Sequence, residues 1–80
     1  MSAEIKVDKV LDTKGMSCPI PILKTKKAMD SLLKDQILRV ETTDPGSQKD
    51  MPSWANRTGN EIVKVEQGAG VFTFYIKRTS

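Results

Sequence analysis

The chain has 80 residues, 38% hydrophobic and 29% charged, the balance of one small domain spanning residues 1–80 with a thin core rather than a disordered segment. It has one cysteine and no histidine, which excludes an internal disulfide, a Cys-x-x-Cys redox pair, a zinc site of Cys and His and a Cys-His dyad, so no metal is expected. A net charge of +3 is too modest to argue direct nucleic-acid binding, and no apolar run is long enough to span a membrane, so a cytoplasmic protein without a membrane partner is expected.

In chain order, Ile5, Val7 and Val10-Leu11 are interleaved with Lys6, Asp8 and Lys9 and predict a first strand. The alternation slips between Asp8 and Val10, which predicts a bulge or an early strand end. Asp12-Thr13-Lys14-Gly15 is turn chemistry. Ile22, Met29, Leu32 and Leu33 then recur at roughly helical spacing and predict a helix from about Pro19 to Lys34. Lys24, Lys27 and Lys34 share one face of it, and Lys26 and Asp30 form an i,i+4 pair. Ile37 to Thr42 reads as a second strand, and a strand, helix and strand in this order make a right-handed parallel unit.

Asp44-Pro45-Gly46 is a turn, and Ser47 with Asp50 has the form of a capping box for a second helix. Met51, Trp54, Ala55 and Thr58 line one side of that helix, with Trp54 as its core anchor, and Gly59-Asn60 ends it. Pro52 would fall at the fifth helical position and remove a hydrogen bond, so a tight first turn with the helix starting near Met51 is the alternative. Glu61 to Gln67 and Val71 to Arg78 are two strands joined by Gly68-Ala69-Gly70, with Phe72, Phe74 and Ile76 on the core face. The order βαβαββ predicts an α/β two-layer sandwich, a four-stranded mixed sheet with both helices on one face.

The chemistry concentrates at Gly15-Met16-Ser17-Cys18-Pro19-Ile20-Pro21-Ile22-Leu23. Proline suits a helix's first turn and pushes the residue before it out of the α region, so Cys18 is expected in an N-cap-like position. There the thiol would face the positive end of the helix dipole and the first-turn N–H groups, left to Ile20 and Ile22 because Pro19 and Pro21 have none. That environment lowers a cysteine's pKa and favours the nucleophilic thiolate. A buried, inert cysteine is the common alternative, but Gly15, Ser17 and two prolines describe an exposed loop-to-helix corner. A reactive sulfur with no base or metal can still carry out exchange at sulfur, including persulfide transfer. Lys24 and Lys27 offer a docking surface for acidic partners beside it.

Leu11-Asp12-x-x-Gly15-x-x-Cys18-Pro19-x-Pro21 resembles the signature of the TusA/SirA family of small sulfur carriers, and Thr43-Asp44-Pro45-x-x-x-Lys49-Asp50-Met51-Pro52 is similar to that family's second block. The likeness runs from about Val7 to Lys77. It implies the same fold, with Cys18 bearing sulfur as a covalent persulfide, no separate cofactor, and Gly15, Pro19, Ile20, Pro21 and Ile22 supporting the helix start. It implies a persulfide carrier of sulfurtransferase type rather than a stand-alone turnover enzyme. A cysteine desulfurase or rhodanese-like protein would be the donor and a DsrE-like protein the acceptor, serving tRNA thiolation, cofactor synthesis or sulfur oxidation. Partners would dock on Lys24 and Lys27 and on Asp44, Lys49 and Asp50. Ile20 stands where the tRNA-thiolation version typically has an acidic residue, and Ala55 where some members carry a second cysteine. The alternative is a non-catalytic regulatory or RNA-binding module of the same fold, using Lys24, Lys27, Lys49 and Arg57 and indifferent to Cys18→Ser. A peroxide sensor would oxidise Cys18 but would lack a resolving cysteine.

Overall fold

The computed structural model describes residues 6–17 and 20–79. The elements are β1 (Lys9–Thr13), α1 (Ile20–Asp30), β2 (Ile37–Thr42), α2 (Ser47–Thr58), β3 (Glu61–Gly68) and β4 (Val71–Lys77). The strands form one mixed sheet in the order β1-β2-β4-β3. β1 runs parallel to β2, and β4 is antiparallel to both β2 and β3. α1 packs on β1 and β2, α2 on β3 and β4, and the helices touch each other, so both lie on one face as expected.

The alternation of β2 explains which face that is. Leu38 and Val40 are fully buried and stand opposite Ile76 and Phe74 of β4, which are also fully buried. Ala28, Met29 and Leu32 close over them from the α1 side, and Met51, Trp54 and Ala55 from α2. Each large apolar side chain taken from water in this way contributes about 1.5–3 kcal/mol before entropy is counted. Trp54 is the core anchor expected of it, at 5% exposure.

Several boundaries differ from those the sequence predicts. The first strand starts at Lys9, not near Ile5, which itself lies outside the described residues, and it runs on through Asp12 and Thr13. Pairing begins where Asp8 exchanges two bonds with Ile37, one through its backbone N–H and one through its carboxylate, each 2.9 Å. The Asp12-Thr13 pair is therefore strand rather than turn.

α1 ends at Asp30 instead of Lys34. A residue remote in sequence holds the carbonyls at and just past its end, the Arg78 guanidinium lying 2.7 Å from the Met29 carbonyl and 2.5 Å from that of Leu32. A cation at a helix C-terminus also opposes the dipole favourably. Leu33 thus leaves the helical register and is 72% exposed, outside the core.

The capping box on Ser47 does not form. The N-cap is Gly46, without a side-chain cap bond, and Ser47 is buried with its hydroxyl 3.5 Å from that of Thr42. The backbone closes the first turn instead, through Ser47 N–H to the Asp44 carbonyl, Gln48 N–H to that of Pro45 and Lys49 N–H to that of Gly46. The helix starts at Ser47 and continues through Pro52, so the alternative of a helix starting near Met51 is not what forms.

Candidate functional site at the start of α1

Because β1 and β2 are parallel and adjacent, with Thr13 opposite Thr42, the loops that follow them emerge side by side. One leads to α1 and the other to α2, so the two sequence blocks meet at one end of the sheet. Their link is direct: the Gly15 N–H donates to the Thr43 hydroxyl at 2.9 Å. Just below, the buried Thr13 hydroxyl donates to the Glu41 carbonyl at 2.6 Å.

The loop before the cysteine is held by short-range bonds to its own residues. Asp12 Oδ1 accepts the Lys14 N–H at 2.9 Å, and the Thr13 carbonyl accepts the Met16 N–H at 3.1 Å. Gly15 has φ +82°, a left-handed conformation that an L side chain adopts at a cost. Lys14 Nζ lies 3.6 Å from Glu41. Cys18 and Pro19 lie outside the described residues, so the predicted exposure of the thiol and the place of Pro19 in the helix start are not described. The residues on either side, Ser17 and Ile20, are hydrogen bonded, Ile20 N–H to the Ser17 carbonyl at 3.0 Å. That corrects one expectation: the Ile20 N–H is engaged by the backbone and is not a free donor for a thiolate.

Beyond this point the helix start is anchored inward. Pro21 is fully buried, and its carbonyl accepts the buried Thr25 hydroxyl at 2.7 Å, so Pro21 packs as well as shaping the first turn. Ile22 is half-buried against the core. Ile20 and Leu23 point the other way, 43% and 59% exposed, and give the start of α1 an apolar outer surface. Leu23 is a residue the sequence reading did not single out for docking. Its signal was available, since it falls off the buried face traced by Pro21, Thr25, Ala28 and Met29. Thr43 was quoted in the second block with no role, and only the fold shows what its hydroxyl holds.

The docking residues separate into two groups. Lys24 and Lys27 are exposed on α1, and Lys49 is exposed in the first turn of α2. Asp44 is half-buried and turned onto its own loop, its Oδ1 accepting the Gly46 N–H at 3.3 Å while its N–H donates to the Thr42 hydroxyl at 3.2 Å. It shapes the approach to α2. Asp50, also half-buried, lies in the first turn of α2.

The sequence profile described as Sulfurtransferase TusA matches residues 9–78. The chain belongs to the TusA family. A protein of Halobacterium salinarum is 45% identical over 80 residues, 99% of either chain. The sulfur carrier protein TusA of Allochromatium vinosum is 43% identical over 72 residues, covering 90% of this chain and 95% of that one. The crystal structure of a SirA-like protein from Desulfitobacterium hafniense superposes with a TM-score of 0.76 at 23% identity, covering 90% of this chain and 99% of the other, and shares the fold. The TusA match contains both blocks and the whole corner from Gly15 to Leu23. Among the described residues no helix is long and apolar enough to cross a membrane.

Proposed function

We propose that this TusA-family protein carries sulfur as a persulfide on Cys18, taking it from a donor protein and handing it to an acceptor in the cytoplasm. The observation that carries this reading is family membership in a chain whose one cysteine falls, in sequence, between the Gly15 loop tied to Thr43 and the inward-anchored start of α1. With no histidine, the reaction has to run on the sulfur and its surroundings.

In loading, the Cys18 thiolate attacks the outer sulfur of a donor persulfide. A new S–S bond forms to Cys18, the donor's S–S bond breaks, and the donor cysteine leaves as a thiolate. The proton of the donor persulfide stays on the transferred sulfur. In delivery an acceptor thiolate attacks that outer sulfur and Cys18 departs as the thiolate. Charge and oxidation state balance in each step, so no cofactor or external oxidant is needed. A cysteine desulfurase or rhodanese-like protein fits the donor role and a DsrE-like protein the acceptor role. The exposed Ile20 and Leu23 beside the cysteine would pack against either partner during transfer.

Intact-mass analysis tests the reading. After incubation with a cysteine desulfurase and cysteine, or with a rhodanese and thiosulfate, the protein should gain about 32 Da, one sulfur atom, in a form that a reductant releases. Cys18→Ser should gain nothing. A wild-type protein loaded by neither donor, or a serine variant loaded equally well, would overturn it.

A further inference from the structure

The sheet ends on β1, and among the described residues nothing pairs with its outer edge. Ile37 turns both its N–H and its carbonyl toward Asp8, and the Glu41 carbonyl accepts the Thr13 hydroxyl, so Ile37, Arg39 and Glu41 face β1 and the register leaves the backbone groups of Val10 and Asp12 turned away from β2. The ladder ends at Thr13, whose carbonyl accepts instead from Met16 of the loop. The backbone groups of Val10 and Asp12 form a short stretch of strand edge that no described residue pairs with. Alongside it runs a groove of about 340 Å³ between β1 and α1, lined by Lys9, Leu11, Lys24, Lys27, Ala28 and Ser31.

Its chemistry is one-sided. Leu11 and Ala28 provide an apolar floor, three lysines provide the rim, and no acidic side chain lines it. Lys24 and Lys27 have no ion-pair partner among the described residues. Lys9 crosses from the strand to donate to the Ser31 hydroxyl at 2.8 Å, which bridges the end far from the start of α1. The other end opens toward the start of α1, since Lys24 is four residues, about 6 Å of helix, beyond Ile20. A free strand edge beside an apolar floor suits an extended peptide that adds as a strand and lays alternate side chains into the groove. The lysines select an acidic one.

We infer that this groove docks an extended acidic segment of a partner protein, paired with the edge of β1 and salted to Lys24 and Lys27. The inference rests on the carrier reading for the partner's biological role, but the surface itself can be tested without any sulfur transfer. The segment would hold a partner along the flank of α1 while its reactive cysteine approaches Cys18 at the open end.

The test is an NMR titration of the isotopically labelled full chain, as wild type and as Cys18→Ser, with a capped heptapeptide of alternating Glu and Val and its Lys-Val counterpart. The acidic peptide should move the amides of Lys9 to Thr13 and of Lys24 to Ala28 in both proteins. Binding should weaken about tenfold in the Lys24→Glu, Lys27→Glu double variant, and should fade in about 1 M salt, where screening reaches about 3 Å. No binding at millimolar peptide, equal binding of the basic peptide or by the double variant, or shifts confined to other faces would overturn the inference. Shifts of the same amides on simple concentration of the free protein would assign the edge to a second copy and overturn it too. Loading of Cys18 by a desulfurase is scored separately, so a carrier without the groove and a groove without carriage give different results.

Discussion

Gly15 is the residue on which the cysteine loop turns. Its φ of +82° has open space around the missing Cβ, so a substitution there meets backbone strain alone. Gly15→Ala should destabilise the fold by about 1–2 kcal/mol, read as a lower urea midpoint at unchanged slope. The same variant should load sulfur more slowly, because the bond from the Gly15 N–H to Thr43 sets where the loop sits. An unaltered midpoint would mean that the loop reaches the corner without the left-handed turn. Thr43 shows what could not be read locally. A threonine after a strand has many roles, and only the parallel pairing of β1 with β2 brings its hydroxyl to a residue 28 positions away.

Two elements show how local chemistry and pairing combine. The β3–β4 hairpin turns at Ala69 and Gly70, both at positive φ, 53° and 77°. Such two-residue loops favour Asn-Gly, because Asn tolerates the left-handed region better than Ala. Ala69→Asn should therefore stabilise the protein by about 0.5–1 kcal/mol in thermal or urea unfolding. A loss of stability would mean that the turn is not the limiting feature of this hairpin.

On the face of the sheet away from the helices, Tyr75 of β4 donates its hydroxyl to Glu66 of β3 at 2.8 Å, with Lys64 3.3 Å from the same carboxylate group. Arg39 and Lys64 lie over the Tyr75 ring, 5.8 and 5.9 Å from its centre. The hydrogen bond from Tyr75, and then that from Lys64, holds the Glu66 carboxyl below its ordinary 4.5. The same bond to Glu66, followed by burial, raises Tyr75 above 10.0. The pair's contribution is thus complete between those ordinary values. It is lost as pH falls through the lowered Glu66 value or rises through the raised Tyr75 value. Tyr75 is the only tyrosine, so its ultraviolet titration is unambiguous. The midpoint should lie above 10.0 and fall toward it in Glu66→Gln, and a variant that titrates like wild type would contradict the assignment.

For the whole molecule, what was legible followed from repeated local signals. The period-two pattern of Ile37 to Thr42 and of Val71 to Lys77 fixed those strands, and their facing rows, Leu38 with Ile76 and Val40 with Phe74, became the core. The spacing of Met51, Trp54 and Ala55 located the buried face of α2, and the two motif blocks identified the family. The sequence by itself therefore determined the order of elements, the sheet type and the core face. Tertiary structure decided the ends and the neighbours. α1 stops at Asp30 where Arg78, contributed from just beyond β4, takes the carbonyls of Met29 and of Leu32 just past the end, and no pattern within the helix encodes a partner so distant. Ser47 gives up its cap because burial against Thr42 outcompetes a local bond. The placing of β1 at the edge, which opens the lysine-rimmed groove, follows from β4 pairing with the other side of β2. Periodicity reports which side of an element is apolar, whereas long-range hydrogen bonds and strand order depend on which elements meet, and that is settled only when the chain closes on itself.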